Sequence, residues 1–225
     1  MLELVEQVAL AGHAKKIRNL WIKQNQDSVD KNSAREFNQD LDSLPFPDRE
    51  MWRPWIQESV KSSQVILVGR GCPFSCTYCS NHALRKIAPG KYVRYRSPKN
   101  IIEEIRYLKS EYSHSEVIYL QAETIFLGKE WILSLCEELE KFNKSSFKPV
   151  KFSCNYRINS QGIDEEIFAA LHRANITTVE IGLESGSERL RNEVLKRNYT
   201  NAEFLEAVRL ARKYGMEVNV YNMIG

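Results

Sequence analysis

The chain has 225 residues, of which 43% are hydrophobic and 27% charged, with a formal net charge of +3. That is the composition of a soluble globular protein with one substantial core, and so small a charge does not argue for nucleic acid or a membrane surface. No apolar run is long enough to span a bilayer. The first residues carry Glu3 and Glu6 without a basic cluster and do not read as a signal peptide. Five cysteines, three of them clustered, do not make a disulfide framework, and the cytoplasm is the expected compartment.

In chain order, residues 1–60 stand apart from the rest. A short helical piece (Leu2, Val5, Val8, Ala9) leads into a polar stretch, then into the proline-extended segment Leu41-Asp-Ser-Leu-Pro-Phe-Pro-Asp-Arg49. This reads as a linker on which Trp52 and Trp55 are expected to pack against the following domain. From residue 61 onward strands and helices alternate. Val65–Val68 is a first apolar strand. Ser97 and Pro98 open a helix striped by Ile101, Ile102, Ile105 and Leu108. Glu116–Leu120 is a second strand, followed by a helix striped by Ile132, Leu135, Cys136 and Leu139. Val150–Asn155 is a third strand, followed by a helix striped by Ile167, Phe168, Leu171 and Ala174. Thr178–Leu183 is a fourth strand, with a short helix near Leu190–Leu195. Thr200 and Glu203 form a capping box for one more helix, ending at Gly215, and Glu217–Met223 is a fifth strand. The alternation predicts an α/β fold, a partial (βα)6 TIM-like barrel of about five βα units with an N-terminal linker extension. The absence of a helix after strand five gives the expectation that the chain is a piece of a longer protein.

Alternation along each strand assigns its faces. Ile118, Leu120, Ala122, Val150, Phe152, Cys154, Val179, Ile181, Leu183, Val218 and Val220 are expected to meet helices. Tyr119, Gln121, Glu123, Ser153, Asn155, Arg157, Glu180, Gly182, Glu184, Asn219 and Tyr221 then face the lumen. Polar groups therefore converge at the C-terminal strand ends, where such folds bind ligands. The reading assumes strands without bulges.

Cys72, Cys76 and Cys79 form a C-x3-C-x2-C run at that same end, after strand one. Three thiolates within eight residues can converge on one metal centre, and a four-iron cube held by three protein ligands leaves one iron open. The rival is a structural zinc site with His82 as fourth ligand. Cys136 and Cys154 read as core residues. The basic group Arg85, Lys86, Lys91, Arg94 and Arg96 reads as a solvated face in preference to an RNA site.

The segment Arg70-Gly-Cys-Pro-Phe-Ser-Cys-Thr-Tyr-Cys79, with Tyr92–Pro98, Gly182-Leu-Glu-Ser-Gly-Ser187 and Asn222-Met-Ile-Gly225, resembles the radical S-adenosylmethionine (SAM) superfamily across residues 64–225. The linker Leu44–Arg49 is similar to the one that follows a cobalamin-binding domain in one subgroup. The resemblance implies a core over residues 61–225, truncated before a sixth strand, and residues 1–60 as the remnant of a junction to a cobalamin-binding domain. It implies a 4Fe–4S cluster on Cys72, Cys76 and Cys79, with SAM completing the fourth iron and being reductively cleaved to start radical chemistry on a substrate. Further cofactor contacts are implied at Tyr78 (adenine), Glu123 (methionine ammonium), Arg157 (methionine carboxylate), Glu184 and Ser185 (ribose or carboxylate), and Ile224 and Gly225 (backbone beside adenine). It also implies an electron donor such as flavodoxin or ferredoxin, and cobalamin through the missing domain. The alternatives are a zinc-stabilised barrel fragment without chemistry and a methylthiotransferase acting on tRNA or protein.

Overall fold

The computed structural model describes residues 2–11, 16–58, 63–112, 116–125, 128–159 and 163–224. Helix α1 spans Leu2–Ala11, and the polar stretch that follows forms a hairpin of β1 (Trp21–Lys23) and β2 (Val29–Lys31), antiparallel with Ile22 opposite Asp30. The hairpin lies within the segment read as a linker and is not anticipated by that reading, because its strands are only three residues long and largely exposed, so no alternation of apolar residues marks them. A single 3-10 turn, Glu50–Trp52, leads into α2 (Arg53–Glu58).

The central sheet is built from β3 (Ser63–Leu67), β6 (Val117–Gln121), β7 (Lys151–Tyr156), β8 (Ile176–Glu184) and β9 (Glu217–Asn222), each strand parallel to the one before it. Between β3 and β6 come the two-residue strands β4 (Gly69–Arg70) and β5 (Arg94–Tyr95), the short helix α3 (Asn81–Leu84), and helix α4 (Pro98–Glu111). Helices α5 (Lys129–Lys144), α6 (Glu165–Arg173) and α7 (Asn201–Lys213) make the later crossovers, with a π-helical turn at Leu190–Val194. Spatial strand order follows chain order without reversal. Right-handed crossovers therefore put every helix on the same face, as in a barrel, and not on both faces as in a doubly wound sheet. Among the described residues no helix is long and apolar enough to cross a membrane.

Local signals set the helix starts. The Ser97 side chain accepts from the Asn100 N–H with Pro98 in the first turn, and Asp164 accepts from the Glu166 N–H. Thr200 and Glu203 complete a reciprocal capping box. The stripes of α4 to α7 close over the helix-facing side of the strands in one continuous core containing Ile66, Ile105, Ile118, Leu120, Leu135, Phe152, Phe168, Val179 and Ile181. Each such side chain contributes about 1.5–3 kcal/mol by leaving water. Cys136 and Cys154 lie in this core as expected, and burial pushes both thiols up, Cys136 to about 12. Val220 departs from the expectation and is 40% exposed, because β9 is the edge strand among those described.

Glu104 interrupts the apolar stripe of α4, yet its side chain is only 1% exposed. Its carboxylate pairs with Arg49 at 2.7 Å and with Arg96, and the two guanidinium groups also donate to Val65 O (3.0 Å) and Leu67 O (2.9 Å) on β3. Two cations satisfy one buried anion and bind the lead-in segment to the sheet. Nearby, Phe46 meets Tyr107, Asp42 accepts from the Ser97 N–H at 2.9 Å, and Asn38 O accepts from Arg94 at 2.7 Å. This corrects the attachment expected through tryptophans. Trp52 and Trp55 lie against each other with ring centroids 5.6 Å apart and are 55% and 64% exposed.

Candidate functional site

The cysteine loop leaves β4 through Gly71, whose φ of +87° favours glycine. A Cβ there would sit 2.2 Å from Tyr92 O, so glycine is also required by the close approach of the neighbouring chain. The loop is fastened on three sides. Glu123 Oε2 accepts from the Gly71 N–H at 2.9 Å, and Arg85 donates to Pro73 O at 2.8 Å. Thr77 donates its hydroxyl to Val194 O at 2.8 Å and its N–H to Leu195 O at 3.2 Å, joining the loop to the π-helical turn. Asn81 donates to Cys79 Sγ at 3.6 Å and is itself held by Tyr92 Oη at 2.6 Å.

Cys72, Cys76 and Cys79 open onto a cleft of about 370 Å³ at the C-terminal end of the sheet. The lumen faces of the strands and the residues just after them supply its other walls: Tyr119 on β6 and Glu123 after it, Asn155 on β7 and Arg157 after it, Glu180, Gly182 and Glu184 from β8, and Tyr221 from β9. Tyr119 donates to Glu180 at 2.9 Å. Burial pushes the Tyr119 hydroxyl up, and the hydrogen bond to Glu180 adds to this.

On the opposite wall Tyr78 donates to Glu184 at 3.0 Å and accepts from Arg197 at 2.9 Å, while Arg197 lies 3.4 Å from the Glu184 carboxylate. Glu184 sits at a break in the β8–β9 register with φ +66°. The bulge that the alternation argument had set aside therefore occurs at a site residue, and the carboxylate still lines the cleft. Gly182 gives it room, since a Cβ there would lie 2.4 Å from Glu184 Oε1.

Arg157 is buried, and its guanidinium lies 3.9 Å over the ring of Phe74, inside the cysteine loop. One amine donates to Arg197 O at 3.0 Å, while Nε has no partner. Among the described residues no carboxylate pairs with it within 4.0 Å, so the structural ion pair that competes with a ligand role is absent. Burial and Arg197 push its basicity down, and Cys76 and Cys72 oppose this. Burial pushes the Cys72 thiol up, so a thiolate there needs a positive partner. Asn155 Oδ1 and Arg197 Nε are likewise buried without partners. A soft thiolate set beside unpaired buried donors and acceptors is the chemistry that a cluster and a small zwitterionic ligand require.

The remaining candidates lie differently. The Ser185 hydroxyl accepts from the Ser187 N–H at 3.2 Å and does not line the cleft. Ser187, not Glu184, caps the turn that follows, accepting from the Leu190 N–H at 3.3 Å. Ile224 is fully exposed, and Gly225 lies outside the described residues. Of the basic group, Arg85, Arg94 and Arg96 spend donors on Pro73 O, Asn38 O and Glu104. For the zinc alternative, His82 Nδ1 is buried without a partner. Among the described residues, however, no three His, Cys, Asp or Glu side chains gather closely enough to hold one metal ion. Sequence reasoning missed Phe74 and Arg197 as site residues. Their only local signal was position, inside the cysteine loop and beside residues with positive φ at Lys196 and Asn198.

The sequence signature of the Radical SAM superfamily matches residues 66–225. An uncharacterized methyltransferase of Pyrococcus horikoshii is 27% identical over 218 residues, 95% of this chain and 44% of that protein. The anaerobic magnesium-protoporphyrin IX monomethyl ester cyclase of Cereibacter sphaeroides is 27% identical over 202 residues, 88% of this chain and 31% of that protein. The chain thus spans less than half the length of these curated relatives. Among solved structures, the radical SAM methyltransferase TsrM of Kitasatospora setae, with cobalamin and a [4Fe-4S] cluster bound, superposes with TM-score 0.71 at 16% identity, over 99% of this chain and 45% of that one. The cobalamin-dependent SAM radical enzyme OxsB superposes with TM-score 0.76 at 18% identity, over 99% of this chain and 33% of that one. These two share the fold, a partial barrel. With its signature matched along the whole βα region, the chain belongs to the radical SAM superfamily, which uses a 4Fe–4S cluster and S-adenosylmethionine.

Proposed function

We propose that residues 61–225 are the catalytic core of a radical SAM enzyme longer than this chain, acting on a substrate that the core alone does not define. Cys72, Cys76 and Cys79 hold three irons of the cluster and leave the fourth for SAM. Bound together, cluster and SAM supply reductive cleavage of the sulfonium carbon–sulfur bond, which starts radical chemistry. The protein's part is binding, orientation and exclusion of water.

Each wall of the cleft has a task. Glu123 uses one carboxylate oxygen on the Gly71 N–H and keeps the other for the methionine ammonium. Arg157 offers its unpaired donor edge to the methionine carboxylate. Glu184, fixed by Tyr78 and Arg197, accepts from ribose hydroxyls, and Ser185 borders that end. Tyr78 lies against adenine, with the backbone of Ile224 beside it. The single observation that carries this reading is that the three cysteines and Arg157, whose buried Nε lacks a partner among the described residues, line the same cleft.

Residues 1–60 act in this proposal as the junction to a preceding cobalamin-binding domain. Support comes from relatives whose similarity runs through this segment and from the buried Arg49–Glu104 pair that fixes it to the core. The methylthiotransferase reading is weaker. The tRNA-2-methylthio-N(6)-dimethylallyladenosine synthases match only 63% and 64% of the chain. The zinc reading is weaker too, because the chain belongs to a superfamily that uses a 4Fe–4S cluster. A flavodoxin- or ferredoxin-type donor would supply the electron. The five free thiols fit the reducing cytoplasm.

The test is anaerobic reconstitution with iron and sulfide, followed by EPR of the reduced chain with and without SAM. A 4Fe–4S signal that changes on adding SAM is the expected result. Stoichiometric zinc in a colourless protein, with no cluster formed, contradicts it.

A further inference from the structure

Arg157 is a buried cation for which the described residues supply no carboxylate. Its guanidinium lies 3.9 Å over Phe74, between Cys72 and Cys76 in sequence, and it is 6% exposed. Among the described residues its one hydrogen bond goes to a neutral carbonyl, Arg197 O at 3.0 Å, and Nε is unpartnered. The other nearby guanidinium, Arg197, is neutralised by Glu184 at 3.4 Å. The positive charge beside the thiolate loop is therefore that of Arg157, and the groups that favour it are Cys76, Cys72 and Tyr78. Arg85 touches the same loop from outside, donating to Pro73 O at 2.8 Å, but it is exposed and screened by water.

Resting on the cluster reading above, we infer that Arg157 sets the reduction potential of the cluster, holding it higher than the loop alone would by stabilising the electron added on reduction. One-electron reduction adds one negative charge to a centre already bearing three thiolates. A fixed cation lining the same cleft, out of water, favours the more negative state, and net charge and burial are established determinants of such potentials. With an effective dielectric constant of about 20, a unit charge anywhere within about 10 Å shifts the equilibrium by at least tenfold, and Arg157 lines the same cleft as the three cysteines. The ring of Phe74 holds the cation in place without neutralising it, which a carboxylate would do. This role is separate from carboxylate binding, since it operates before SAM arrives.

The test is a redox titration of the reconstituted chain without SAM, followed by EPR, on wild type, Arg157→Gln, Arg157→Lys and Arg85→Gln. In Arg157→Gln the reduced-to-oxidised ratio at the wild-type midpoint is expected to fall about tenfold, a shift of about 59 mV to lower potential. Arg157→Lys keeps the charge and Arg85→Gln removes only a screened one, so both are expected within about twofold of wild type. Phe74→Leu keeps every charge but frees the guanidinium towards water. It should shift the same way by about threefold, which keeps the inference testable if Arg157→Gln does not hold iron. A full cluster in Arg157→Gln with an unchanged midpoint overturns the inference, as does an equal shift in Arg157→Lys or Arg85→Gln. In both cases the assignment of the core as a radical SAM site stands. A wild-type chain that forms no cluster overturns both.

Discussion

On one face of β6, β7 and β8, Ile118, Leu120, Phe152, Cys154, Val179 and Ile181 are at most 1% exposed and belong to one apolar core. On the other face of the same strands, Tyr119, Asn155, Arg157, Glu180 and Glu184 line a cleft, and Asn155 Oδ1 and Arg157 Nε are left without partners among the described residues. Residues one position apart thus live under different rules. The helix-facing side is selected for burial, where every methylene counts towards stability. The lumen side carries unsatisfied groups and a residue at positive φ, features a protein keeps where a ligand will complete them. The difference predicts that substitutions on the two faces separate stability from cofactor binding.

The largest stability losses belong to buried groups on the helix side. Phe152→Ala is expected to cost about 3–5 kcal/mol in urea unfolding, through lost transfer energy and the cavity left behind. Glu104→Ala should cost a similar amount, about 3–5 kcal/mol, because it strands Arg49 and Arg96 without their shared anion. Loss of that pairing should also expose the lead-in segment to limited proteolysis near residues 41–49. A cost below about 1 kcal/mol would mean that water replaces the carboxylate and that the lead-in is held by other contacts.

An intermediate effect is expected at the helix ends. Thr200→Ala removes the acceptor for the Glu203 N–H and should cost about 1 kcal/mol, read from the same unfolding curves. The smallest stability effects belong to the lumen. Cys79→Ser and Glu180→Gln should each change unfolding of the metal-free chain by less than about 1 kcal/mol. They should diverge in bound iron. Cys79→Ser is expected to lose the cluster signal, and Glu180→Gln to retain it. A lumen substitution as costly as Phe152→Ala would erase the contrast between the two faces.

Much of this contrast was legible in the chain itself, and the reasons are local. Strand faces follow from period-two alternation, the starts of α4 and α7 from Ser97-Pro98 and Thr200–Glu203, and the candidate cysteine loop from three cysteines within eight residues. The missed features depend on distance in sequence. Arg197 meets Tyr78 across 119 positions, and Arg49 meets Glu104 across 55. A charged residue inside an apolar helical stripe reads as an exposed interruption until its partners are placed beside it. The β1–β2 hairpin escaped for the opposite reason. Its residues are largely exposed, so burial imprints no pattern on them. The bulge at Glu184 was invisible because a register break depends on the neighbouring strand, not on the one that carries it.

The central claim is that three thiolates leave one iron of a four-iron cluster open to SAM in this cleft. Mössbauer spectroscopy of the chain reconstituted with ⁵⁷Fe tests it directly. We predict that adding SAM changes the parameters of one iron site in four and leaves the other three unchanged. Four sites indifferent to SAM would contradict the account, as would iron that cannot be incorporated while zinc is retained.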